Sequence, residues 1–132
     1  MSIGTFGCNM RCKHCQNWEI CHHSATEDGS DLAELHPEEL VRIAQREGCG
    51  AIAWTYNEPS IWFEYILDTA KLAKEHGLLT VMVTAGMINP PALRTLLLLR
   101  FSHILISRSR ATARRQRGWG ALPCEVVAPV RL

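Results

Sequence analysis

The chain has no apolar run long enough to cross a membrane. Its longest greasy stretch, residues 93–106, is broken by Arg94, Arg100 and His103 and falls short of the roughly 18–20 apolar residues a span needs. Residues 1–6 carry neither the basic start nor the apolar segment of a secretory leader. Six cysteines without such a leader point to a reducing compartment, with the cytoplasm as the default expectation. There is no internal repeat, and no low-complexity tract apart from an Arg-rich end. Net charge is almost absent: +1 over 132 residues removes bulk attraction to nucleic acid or to a membrane surface as a basis for function. Lysine is missing from Arg94 onward, where eight Arg face the single acid Glu125, whereas before it twelve acids face six Lys and Arg. The two parts differ in kind.

What is present is a globular composition, 47% hydrophobic and 20% charged, which excludes a disordered chain. The length allows one domain. One motif dominates it. Residues 8–15 read CNMRCKHC, three thiols at C-x₃-C-x₂-C spacing in a tight loop whose polar Asn9, Arg11 and Lys13 disfavour helix or strand. Three converging thiolates indicate a metal. A [4Fe-4S] cubane normally takes four Cys ligands, so three leave one iron open to a substrate. Zinc is the rival, but a structural zinc site wants a fourth protein ligand, usually from a second paired arm, and Cys12 with Cys15 is the single C-x₂-C pair. His22 or His23 could supply a fourth ligand. That makes a non-catalytic zinc-binding or interaction module the alternative reading.

Taken in order, residues 2–6 read as a short strand delivering Gly7 and the cysteine loop. The acidic, polar residues 25–35 read as a solvated connection. A helix starts at Pro37 with Glu38 and Glu39 in its first turn, His36 as cap and Leu35 stapled on Leu40. Its buried stripe is Leu40, Ile43 and Ala44, it ends at Gly48, and Cys49 follows as a small buried hydrophobe. Residues 51–55 and 79–84 are compact apolar runs of strand length. Between them a helix over about residues 59–76 has Glu64, Asp68, Lys71 and Glu75 as its wet stripe and Trp62, Ile66, Ala70 and Ala73 on the other face. Asn89 caps a third, Leu-rich helix, and residues 103–106 suggest one more strand. Strand, helix, strand with apolar strands predicts an α/β fold, a parallel sheet covered by helices. In such folds chemistry gathers at the carboxyl ends of the strands. The loops that land there are 7–15, 56–59 and 85–89.

The cysteine motif resembles that of the radical S-adenosylmethionine (SAM) superfamily, C-x₃-C-x-φ-C, with His14 at the position of the ring before the last Cys. The strings GCNMRCKHCQNWEI and AWTYNEPSIWFEYILDTAKLA look like the AmmeMemoRadiSam system branch, close to pyruvate formate-lyase activating enzymes, over about residues 2–94. The resemblance implies a partial (β/α) radical SAM barrel of three to four βα units. It implies Cys8, Cys12 and Cys15 as ligands of a [4Fe-4S] cluster, and SAM as second cofactor. It further implies that His14 and Trp18 shape the cofactor pocket, and that Glu58, at the place of a Gly-Gly-Glu type motif, holds the SAM amino group with help from Asn57. Thr84 begins a segment where relatives read Thr-Asn-Gly, which implies a SAM contact at Thr84; Ala85 departs from that pattern. The chemistry implied is reductive cleavage of SAM to a 5′-deoxyadenosyl radical that abstracts hydrogen from a protein or small-molecule substrate, fed by an electron donor such as flavodoxin or ferredoxin.

The resemblance fails beyond Arg94. Residues 1–106 are expected to form the partial core domain and residues 107–132 an Arg-rich tail, as an out-of-frame GC-rich stretch would give. A domain that opens inside its first core strand reads as a fragment, so an inactive truncated gene product stands as a further alternative.

Overall fold

The computed structural model describes residues 1–13, 15–22, 34–99 and 101–106, the last four as backbone. The expected Arg-rich tail, residues 107–132, lies outside them, as does nearly all of the expected connection 25–35. Four strands form one sheet in the order β1-β2-β3-β4, and every neighbouring pair is parallel. They are β1 (Ser2–Ile3), β2 (Ala51–Trp54), β3 (Leu79–Thr84) and β4 (His103–Ile106). The crossovers carry α1 (Trp18–His22) and α2 (Pro37–Arg46), then α3 (Phe63–Glu75), then α4 (Pro90–Leu98). This is a small α/β sheet with helices, consistent with a partial radical SAM fold.

Local chemistry accounts for most of these elements. Pro37, whose fixed φ and missing N–H suit a first turn, opens α2, and Glu38 and Glu39 in that turn and Arg46 in the last match the helix dipole. His36 sits at the cap position, but its side chain makes no capping bond, because an imidazole is a poor substitute for the short oxygen of Ser or Asp. Val41, rather than Ile43, joins Leu40 and Ala44 in the buried stripe. Asn89 caps α4 as expected, its Oδ1 accepting the Ala92 N–H at 2.9 Å. The helix expected from residue 59 begins instead as a 3₁₀ turn (Pro59–Trp62). Its wet stripe is exposed, and Ile66, Ala70 and Ala73 are fully buried, with Trp62 half-buried.

The strands expected at 2–6 and 51–55 are shorter than their apolar runs. β1 keeps two residues in ladder, although the Met1 and Ile3 carbonyls still accept from Ala53 and Thr55 at 2.8 and 2.9 Å. Gly4 explains how close the β1 end lies to β2. A Cβ there would stand 3.0 Å from the Thr55 carbonyl and 3.1 Å from the Tyr56 ring.

Burial is uneven across the sheet. Ile52, Trp54 and Met82 are buried in one cluster with Leu40, Val41, Ala44, Ile66, Ala70, Ala73, Leu96 and Phe101, and Thr80 and Thr84 are buried as well. The alternate residues Ala51, Ala53, Val81 and Val83 are only half-buried. Apolar strands predict a parallel sheet covered by helices. Here one face carries the core, and on the other Val83 reaches a cavity at the strand ends. Trp54 and Phe101 meet tilted with ring centroids 5.5 Å apart, a pairing that contributes about 0.5–1.5 kcal/mol beyond area.

Candidate metal and cofactor site

The cavity lies at the carboxyl ends of β1, β2 and β3 and measures about 420 Å³. Cys8, Cys12 and Cys15 line it from the first loop, Tyr56, Asn57 and Glu58 from the second, Thr84 and Ala85 from the third. Residues more than 70 positions apart in the chain thus meet because three parallel strands end together.

Gly7, in a left-handed conformation with φ of 87°, turns the chain into the cysteine loop. The Met10 N–H points at Cys8 Sγ, 3.4 Å away. Burial raises the Cys12 thiol above its ordinary range, and the neighbouring Cys15 and Cys8 thiols raise it further. Three thiols lining one cavity are a donor set that suits a cationic centre, since metal binding displaces thiol protons. Among the described residues no three His, Cys, Asp or Glu side chains could hold one metal ion. A closed zinc site needs four ligands around a single ion, so that arrangement is not preformed among the described residues. A cubane asks less convergence, because each thiolate takes a different iron.

Cys21 is a fourth thiol on the same cavity and is buried. Its S–H points at the Tyr56 carbonyl at 3.8 Å. Burial, together with Cys15 and Cys8 beside it, pushes this thiol up to about 12. Sequence reasoning gave it no role. Its one signal was a position six residues beyond the motif.

Glu58 is 2% exposed and holds three donors. Oε1 accepts from the Thr84 hydroxyl at 2.5 Å and the Ser60 N–H at 3.2 Å, and Oε2 accepts from the Ala85 N–H at 2.7 Å. Ala85 therefore reaches the carboxylate through its backbone, for which the missing amide side chain is immaterial. Thr84 also accepts from the Gly86 N–H at 2.9 Å. Of the roughly four lone-pair positions of a carboxylate, three are filled. Asn57 differs: its Nδ2 donates to the Gly7 carbonyl at 2.7 Å, while its buried Oδ1 has no partner.

Other expected residues stand elsewhere. Trp18 is 52% exposed and does not line the cavity; its ring lies 3.8 Å from that of His22. An amphipathic ring on a five-residue surface helix packs on its neighbour one turn away, which accounts for the difference. His22 Nδ1 accepts from Arg11 at 2.7 Å. His14 and His23 lie outside the described residues.

Residues 2–108 match the profile of the Radical SAM superfamily. The chain belongs to the radical SAM superfamily. A similar protein is MJ0808, an uncharacterized protein of Methanocaldococcus jannaschii, 41% identical over 96 residues, which cover 73% of this chain and 28% of that protein. The chain thus spans little more than a quarter of the relative it matches. Membership of the radical SAM family implies SAM and a [4Fe-4S] cluster, and the loop thiols and the orphaned Asn57 acceptor suit those two groups. Among the described residues no helix is long and apolar enough to cross a membrane.

Proposed function

We propose that this chain carries the cofactor-binding part of a radical SAM enzyme of the AmmeMemoRadiSam branch, akin to pyruvate formate-lyase activating enzymes. One observation supports it above the rest: the three loop thiols share a cavity of about 420 Å³ with Asn57, Glu58 and Thr84. Cys8, Cys12 and Cys15 would hold the [4Fe-4S] cluster, leaving one iron for SAM. When bound, the reduced cluster would supply one electron to the SAM sulfonium, breaking a carbon–sulfur bond to give methionine and a 5′-deoxyadenosyl radical for hydrogen abstraction. Asn57 Oδ1 would accept from the SAM ammonium, and the last free lone pair of Glu58 would add a charge-assisted bond. Thr84 and the Ala85 N–H hold the Glu58 carboxylate in place, so little reorganisation is needed when the ammonium arrives. The core domain would span residues 1–106.

The partners are a one-electron donor such as flavodoxin or ferredoxin and a protein or small-molecule substrate, in the cytoplasm. Anaerobic reconstitution with iron and sulfide tests the reading. Iron and acid-labile sulfide should bind, and SAM should alter the electron paramagnetic resonance of the reduced cluster. Protein that takes up one zinc, and neither iron nor sulfide with both supplied, would overturn it in favour of the zinc module.

A further inference from the structure

We infer that Asn17 and Asn57 form a reciprocal clasp that makes SAM binding conditional on an ordered cysteine loop. This rests on the reading that SAM occupies the cavity. Tyr56 has φ of 74°, the one described residue other than glycine with positive φ, a conformation that bulky residues keep only when their surroundings hold it. What holds it comes from the cysteine-loop side. Asn17, two residues beyond Cys15, donates Nδ2–H to the Tyr56 carbonyl at 2.6 Å, and the Cys21 S–H points at the same oxygen.

The return bond runs the other way. Asn57 donates Nδ2–H to the carbonyl of Gly7, one residue before Cys8, and the Gly7 N–H is itself bonded to the Ile20 carbonyl on α1 at 2.8 Å. The cysteine loop is therefore pinned near both ends to the loop after β2, by one amide from each side.

The clasp decides what Asn57 offers a ligand. With Nδ2 committed to Gly7, the side chain, 8% exposed, is left with Oδ1 as a buried acceptor lacking a donor. A buried acceptor without a partner is costly, so the closed clasp favours a ligand that brings an N–H. An ammonium meets that need. Loop order and the acceptor belong to one equilibrium, so whatever binds the thiols and whatever binds Asn57 strengthen each other by the same factor.

The test uses the full chain, reconstituted anaerobically, with Asn17→Ala and the isosteric, acceptor-only Asn17→Asp. Iron and sulfide per chain should match wild type, while SAM affinity by equilibrium dialysis falls roughly three- to tenfold in both. SAM should slow iron loss to a chelator in wild type and do so less in the variants. Glu19→Ala, exposed on the helix that follows Asn17, should behave as wild type. Unchanged SAM affinity in both Asn17 variants would overturn the clasp. In cluster-free protein without SAM, hydrogen exchange at the Gly7 amide should also quicken several-fold in Asn17→Ala. No change there overturns the clasp too, even if wild type binds no SAM and the proposed function fails.

Discussion

Glu58→Gln probes the densest set of bonds in the cavity. The wild-type carboxylate accepts from Thr84 and Ser60 on one oxygen and from Ala85 on the other, and it is almost fully buried. A glutamine has the same shape but one oxygen. Turned with its oxygen toward Thr84 and Ser60, it presents an NH₂ group to the Ala85 N–H, donor against donor. Turned the other way, it meets the Ser60 N–H. Either orientation loses a charge-assisted bond, worth about 1.5–3 kcal/mol, and leaves a buried donor short of its acceptor; the expected destabilisation is about 2–4 kcal/mol. Against a total of about 5–15 kcal/mol for a typical domain this is a large fraction.

Urea unfolding of the cluster-free protein, followed by circular dichroism, measures that loss, and equilibrium dialysis of the reconstituted variant measures SAM affinity separately. A stability change within about 0.5 kcal/mol, the usual range for an unremarkable surface substitution, would refute the bonding scheme. A large stability loss with unchanged SAM affinity would make Glu58 a bracket for the end of β3 and remove it from the cofactor contacts.

Cys12→Ala should abolish stable cluster assembly, whereas Cys49→Ala, at a half-buried position packed on the core, should leave iron content unchanged; equal iron loss in both would show the ligand assignment to be wrong. Gly4→Ala places a methyl group 3.0 Å from the Thr55 carbonyl and should destabilise by about 1–3 kcal/mol in the same urea assay. Trp18→Ala should change neither iron content nor SAM affinity, because the exposed ring touches His22 and lies off the cavity; a clear drop in SAM binding would return it to the pocket.

The sequence was most legible where the cause of a structure sits within one turn of it. β3 spans the apolar run at 79–84 residue for residue, and the Asn89 cap and the Pro37 start stand where their local chemistry put them. Legibility fell where partners decide. β1 is short because its length is set by what β2 pairs with, and Ala51–Trp54 stops where the chain must turn into Tyr56. The left-handed Tyr56 has no local signature at all, since Gly or Asn would be the ordinary choice for that backbone.

The same division runs through the site. The three loop cysteines were readable because their spacing is local, and Glu58 and Thr84 because strand ends in a parallel sheet converge. Asn17 and Cys21 were missed, although both approach the mouth of the same cavity. Their acceptor is the carbonyl of Tyr56, 39 and 35 residues further along the chain. A main-chain carbonyl is the same group at every position, so no residue type in the second loop marks it as a target. A motif search finds side chains placed to meet a ligand, and it passes over those that meet only the backbone of another loop. In this cavity the second kind holds Tyr56 in its conformation and presents Asn57 with its acceptor open.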